Sequence, residues 1–317
     1  MLNSSNEVTL KSLNNNIYND TDYKSYQKEL FHSSSFKEIL LDGVDKNDKP
    51  VSCLITIEKK NDFKKLNFYN NPIDLDILNL NEQSYKKIIL DIKKICFDES
   101  INSVLFKKNI KETDIASLSK NQKNKIDFIG VESTIKLTQD LKIIVKDFSK
   151  GHRSSLKINY EKLDYEIFDF KNYRIGQIYE MMKLHEEVSG KVTRSKKTWQ
   201  INENMILNKK GFLIKVKEEN RTISYAFFFY NNDAAIYFSS CTLRETFKLY
   251  KNITHKIILK SIEYLRSVNC KNFFLGTTKS IFSNNKIDIK NKNIELFKSS
   301  FGGKKNFFVI YNNILNF

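Results

Sequence analysis

Residues 212–241 read FLIKVKEENRTISYAFFFYNNDAAIYFSSC, and the fold turns on this stretch. Three runs rich in β-branched and aromatic residues, Phe212 to Lys217, Ile223 to Tyr230 and Ala234 to Cys241, are separated by the clusters Glu218-Glu219-Asn220 and Asn231-Asn232-Asp233. Short polar connections of that kind join antiparallel strands, so a three-stranded meander is expected. Beyond it, Thr254 is placed to cap a helix on which Ile258, Ile262 and Leu265 recur at helical spacing. A strand of buried type, Asn272 to Gly276, follows, then a helix over Asn293 to Ser300 stopped by Gly302-Gly303, and a last strand from Asn306 to Tyr311. Upstream, Ile175, Ile178, Met182 and His185 mark a helix closed by Ser189-Gly190, and a second helix lies around Lys196 to Leu207. The resulting order is ααβββαβαβ.

A similar order occurs earlier in the chain. Glu38 to Asp45 and Val51 to Lys59 form an expected hairpin across the turn Asp45 to Pro50, and a strand at Leu66 to Tyr69 runs into the loop Asn70-Asn71-Pro72-Ile73. Tyr85, Ile88, Ile89, Ile92 and Ile95 give an amphipathic helix. A strand at Ser103 to Lys107, a helix from Glu112 to Gln122 and a strand at Val131 to Leu137 complete a βββαβαβ series. Two such halves imply a duplicated α/β domain with mixed sheets. The expected divisions are an N-terminal arm over 1–35 with a short helix around Tyr23 to Phe31, a first domain over 36–145, a basic interdomain segment over 146–172, and a second domain over 173–317.

A chain of 317 residues holds about two domains at roughly 150 residues each. Its 53 Lys and Arg against 37 Asp and Glu give a net charge of +16, yet 40% hydrophobic and 13% aromatic residues are too many for a disordered basic tail. Almost all the excess is lysine, with six arginines, so a polyanionic partner and compositional bias both account for it. Cys53, Cys96, Cys241 and Cys270 lie far apart, without a C-x-x-C pair or histidines at ligand spacing, which argues against a metal centre or a disulfide framework. The chain start lacks a signal-peptide pattern, and no apolar run nears the roughly 18 residues of a membrane span, so a cytoplasmic protein is expected.

Three antiparallel strands followed by αβαβ is the order of the GNAT acyltransferase fold. In the second half, Arg194-Ser195-Lys196-Lys197-Thr198-Trp199, Ala234 to Ser240, and Ile294-Glu295-Leu296-Phe297-Lys298-Ser299-Ser300-Phe301-Gly302-Gly303 resemble the Fem family. The resemblance spans roughly residues 36 to 311. It implies two GNAT-like domains in tandem, with the active site in the second, and transfer of an aminoacyl group, usually from aminoacyl-tRNA, to an amine of a cell-wall or surface-polysaccharide precursor. It places the pair Phe297 and Lys298 at the reacting carbonyl as catalytic residues, Lys298 donating to the growing oxyanion. It sets Tyr237 facing the acceptor, and likens Lys150 to Lys157 to the family's basic interdomain helix. Asn70-Asn71-Pro72 stands where relatives carry a Gly-Pro loop, making Asn70 a candidate acceptor contact. Arg194 suits bidentate pairing with a phosphate or carboxylate, and His152 with Arg153 suits a phosphate. Trp199 reads as core, and His185, His255 and Cys241 show no catalytic partner in the sequence.

No metal or redox cofactor is expected. The donor enters as a co-substrate. Acyl-CoA users of the GNAT fold carry a glycine-rich turn whose amides hold pyrophosphate at a helix N-terminus. The corresponding segment here, Thr242 to His255, has no glycine, which favours aminoacyl-tRNA over acyl-CoA. Two alternatives stand beside a Fem-like transferase: an acyl-CoA-dependent N-acyltransferase acting on a nucleotide-linked amino sugar, and a non-catalytic basic module binding RNA or an anionic glycan.

Overall fold

The structure, a computed structural model, describes residues 20–30, 35–69, 71–118, 126–279 and 289–311. Helix α1 (Thr21–Leu30) precedes the hairpin β1 (Ser35–Val44) and β2 (Pro50–Lys60), then β3 (Phe63–Asn67), the two-residue β4 (Ile73–Asp74) and α2 (Glu82–Asp98). After these come β5 (Ser103–Val104), β6 (Phe106–Ile110), α3 (Glu112–Ser117) and β7 (Phe128–Lys136). The segment joining the halves forms α4 (Leu141–Lys146), α5 (Lys150–Lys157) and β8 (Leu163–Phe168). The second half continues with α6 (Gln177–Ser189), α7 (Lys196–Leu207), β9 (Gly211–Glu218), β10 (Arg221–Tyr230), β11 (Ala234–Thr242), α8 (Thr246–Leu249) and α9 (Ile253–Ser267). It ends with β12 (Asn272–Lys279), α10 (Ile289–Ser299) and β13 (Lys304–Tyr311).

Local chemistry explains these boundaries. The Asn81 side chain accepts from the Ser84 amide at the start of α2, and its Ile88 and Ile92 are buried in one apolar cluster with Leu41, Ile55 and Ile57 of the hairpin. Ser195 caps α7 in the same way at the Thr198 amide, and Trp199 of that helix is buried. Strand β10 is buried from Ile223 to Tyr230, an apolar run with both faces covered.

The chain forms a four-stranded sheet, β1-β2-β3-β5, and a nine-stranded sheet, β4-β6-β13-β7-β12-β11-β10-β9-β8. The C-terminal strand β13 lies antiparallel between β6 and β7, and β7 pairs on its other edge with β12, so strands of both halves share one sheet.

Several expectations are corrected. The single strand at Ser103 to Lys107 is two strands in different sheets, because the Leu105 amide donates to Leu66 O while its carbonyl accepts from Ile73 N of β4. Strand β3 ends at Asn67, since Tyr69 takes a left-handed backbone at φ 46°. Thr254 does not cap α9: Asn252 holds the N-cap position, and its side chain bonds elsewhere. Helix α3 ends at Ser117 as Leu118 turns extended. The sequence reading places no strand at Leu163–Phe168, although Leu163, Tyr165 and Ile167 alternate with Asp164 and Glu166 there.

Candidate active site

Strands β11 and β12 run parallel and part early. Their pairing covers only Ala234 to Ile236 against Asn272 to Phe274. The cause lies in β11, where Phe227 of β10 faces Ser239 and Phe228 faces Tyr237, leaving Phe238 as an extra residue. A bulge of this kind bends its strand and increases local twist. Strand β12 has its own irregularity against β7: Phe274 faces Thr134 and Thr277 faces Glu132, so one residue of β12 is again in excess. Gly276 sits in that step at φ 84°, a backbone that side chains with a Cβ rarely adopt.

Lys298 projects from the last turn of α10 to this step. A Cβ built on Gly276 would lie 3.0 Å from Lys298 Nζ. Burial draws the ammonium's pKa down to about 8, and the charge of Glu132 works against that shift. Among the described residues Lys298 makes no ion pair. Glu132 accepts from Thr277 Oγ1 at 3.1 Å and pairs with Lys107 at 3.4 Å, and Lys107 also pairs with Asp74 at 3.1 Å. Burial opposes charge on Lys107, but Glu132 and Asp74 together hold it above the usual lysine range. Strand register puts Asp74, Lys107 and Glu132 on one face of the sheet, together with Thr277. Sequence reasoning misses Glu132 and Lys107, whose meeting requires β13 to lie between their strands.

The base of α10 is held tightly. The Phe297 carbonyl lies 3.1 Å from His152 Nε2 of α5, and the Phe297 ring is 5.0 Å from that of Phe301. The His152 and His255 rings stand 4.3 Å apart. Burial lowers the pKa of His152, and lowers that of His255 to about 4 with help from the His152 charge. Below α10 the chain turns at Gly302 and Gly303, both at positive φ, and a Cβ on Gly302 would meet Asp147 O at 2.6 Å.

The remaining candidates are placed as follows. Tyr237 is half-buried, donates to Ser240 Oγ at 2.6 Å and stacks on Phe228, with its phenol pushed up to about 12 by burial. The bulge at Phe238 puts Tyr237 and Ser239 on opposite faces of the sheet. Arg194 donates to Ser239 Oγ at 3.1 Å, lies over the Trp199 ring at 5.1 Å and hydrogen-bonds the buried Tyr26 phenol, opposing the rise in that phenol's pKa that burial imposes. Arg153 donates to the carbonyls of Lys146 and Phe148, which accounts for it as a clasp on the end of α4. His152 likewise serves the α5–α10 junction. Asn70 lies outside the described residues.

FemX aligns over 99% of this chain and 97% of its own, at TM-score 0.62 and 13% identity. The chain has a Fem-like fold. L-PGS from Bacillus licheniformis aligns over 96% of this chain and 90% of its own at TM-score 0.54 and 12% identity. The C-terminal domain of a putative lysylphosphatidylglycerol synthetase from Agrobacterium fabrum does so over 99% and 94%, at TM-score 0.51 and 10% identity. No family model matches the sequence, and no curated protein matches it. In this fold the region around Lys298 lies where β11 and β12 separate.

In this Fem-like fold the start of α9, where a GNAT pyrophosphate turn would lie, has α5 beside it. Asn252 Nδ2 donates to the carbonyls of Ser155 and Ile158, and His255 is packed between His152 and Phe297. Helix α8 fills the preceding connection, with Thr246 Oγ1 donating to Leu243 O at 2.6 Å.

Proposed function

We propose that the protein transfers an aminoacyl or acyl group to an amine, with the reacting carbonyl in the gap between β11 and β12. The observation that carries this reading is Lys298: a half-buried lysine without an ion pair among the described residues, its ammonium aimed at the glycine step where the strands part. Attack of a neutral amine on an ester or thioester carbonyl forms the C–N bond and gathers charge on the carbonyl oxygen. A preorganised cation stabilises that charge in the transition state. Collapse breaks the bond to the donor oxygen or sulfur, which leaves with a proton as the amine loses one. Glu132, tied to Thr277 and Lys107, is the carboxylate best placed to receive the amine's proton. Phe297 acts by fixing the end of α10. Arg194, held at Ser239 Oγ, suits an anionic group of the substrate, and Tyr237 is the candidate acceptor contact.

The glycine-free segment Thr242 to His255 supports aminoacyl-tRNA over acyl-CoA as donor, because close backbone approach to a pyrophosphate favours glycine there. On the Fem-family resemblance, the acceptor in this reading is an amine of a peptidoglycan or surface-polysaccharide precursor, with cell-wall biogenesis as the setting. Thermal shift with charged tRNA, uncharged tRNA and coenzyme A tests the donor, since a ligand of the native state raises its stability. A shift with charged tRNA alone is expected. A shift with coenzyme A overturns the donor assignment. Turnover by the wild type that is lost in Lys298→Met, with folding intact, separates an enzyme from a binding module.

A further inference from the structure

Two segments that pack on each other, residues 148–160 and 246–260, hold Lys150, Arg153, Lys157, Lys248, Lys251, Lys256 and Lys260, with the acidic Asp147, Glu161 and Glu245 at their borders and Glu218 accepting from Tyr250 Oη. They are tied together by Asn252 Nδ2 on Ser155 O and Ile158 O, by Lys256 Nζ donating to Asn159 Oδ1 at 2.7 Å, and by the Tyr160 and Tyr250 rings at 4.8 Å. Lys260 pairs with Glu263 at 3.6 Å. Lys150, Lys157, Lys248 and Lys251 are exposed, and among the described residues none makes an ion pair. Burial and the neighbouring Lys260 charge hold Lys256 below the usual lysine range, as expected in a crowd of cations. Between these lysines stand apolar side chains open to solvent: Ile158 is 48% exposed, Phe247 45% and Leu249 64%.

We propose that this face docks the protein on an anionic phospholipid bilayer, with Phe247, Leu249 and Ile158 entering the interface and the exposed lysines meeting lipid phosphates. Cations flanking protruding apolar tips match a surface that is negative outside and hydrocarbon beneath. The composition of the tips favours lipid over nucleic acid. Two of the three are aliphatic, the Tyr250 ring is buried, and the Arg153 guanidinium is bound to carbonyls, so the face offers little stacking platform for bases. The inference stands apart from acyl transfer, and its test needs no substrate.

Co-sedimentation with vesicles of phosphatidylcholine, with and without phosphatidylglycerol, tests it. The full chain is expected on the anionic vesicles only, and to be released as salt rises from about 0.1 to about 0.5 M. Lys248→Glu with Lys251→Glu is expected to lower partitioning on the order of a hundredfold. Leu249→Ser, and separately Ile158→Ser, should lower it on the order of tenfold, since each removes apolar insertion without changing charge. An unchanged melting temperature shows that the variants fold. Absence of vesicle binding, or equal binding to neutral vesicles, overturns the proposal. So does binding of a labelled RNA hairpin that depends on Lys248 and Lys251 while anionic vesicles do not compete.

Discussion

Lys298 carries a charge that the fold makes costly. Its pKa of about 8 in the native protein lies below the ordinary lysine value, so the unfolded chain binds more protons between the two, and stability rises with pH across that window. Below about pH 8 the charge on this half-buried lysine opposes folding. Lys298→Met is therefore expected to stabilise the protein at pH 7 by up to about 3 kcal/mol. The gain should fade as pH approaches the ordinary lysine value, which denaturant titrations at several pH values measure. The same variant should abolish transfer. If the ammonium donates to the oxyanion, wild-type turnover with an acceptor already neutral must fall as pH passes about 8, and a rate that keeps rising there would sink the role. Gly276 completes the argument from its other side. Gly276→Ala places a methyl 3.0 Å from Nζ in a backbone at φ 84°. The expected destabilisation is about 1–2 kcal/mol, with turnover lost far beyond what the remaining folded fraction explains.

The element that positions Lys298 is α10, and it is fastened through α5 and α9 by two histidines. Both have pKa values lowered first by burial, so the unfolded state binds the extra protons and stability falls as pH drops from the ordinary histidine range towards about 4. His255→Phe keeps an aromatic ring there without the ionisation and should flatten the profile of melting temperature between about pH 6.5 and about pH 4. Superimposable wild-type and variant profiles would refute the assignment. At this scale the sequence was legible where one face of one element decides the outcome. Ile88 and Ile92 mark α2, Ser195 starts α7, and Phe297 to Gly303 mark the end of α10 and its turn. It was not legible where a boundary depends on a distant partner. The break at Leu105 exists because Leu66 and Ile73 take its amide and carbonyl, and Asn252 leaves α9 without a side-chain cap because it serves α5. The candidate site divides along the same line. Lys298 and Arg194 belong to local motifs, whereas Glu132 and Lys107 join the site only through strand order.

At the scale of the molecule, a repeated strand order suggests two self-contained halves, but the sheet joins them. Strand β13 closes the chain by lying between β6 and β7, with Phe307 and Phe308 opposite Ile110 and Asn109 on one side and Val131 and Gly130 on the other. Phe307 and Val309 share a buried cluster with Ile115, Ile129 and Val131, so this strand supplies core to the first half from the end of the second. The nine-stranded sheet thus ties strands of both halves together, while β1, β2, β3 and β5 form a sheet of their own. A single cooperative transition is the expected result, followed through Trp199 fluorescence in the second half and far-ultraviolet dichroism over the whole chain. Phe307→Ala, which opens a cavity in the shared cluster, should lower stability by about 3–5 kcal/mol and move both signals together. Two separated transitions, or loss of dichroism with Trp199 fluorescence unchanged, would show that the halves fold independently. In that event Glu132 and Lys298 would be neighbours without mechanical coupling. A single transition instead ties the site's carboxylate and ammonium to one folding event, because β7 carries Glu132 while pairing directly with β12, the strand that Lys298 reaches at Gly276.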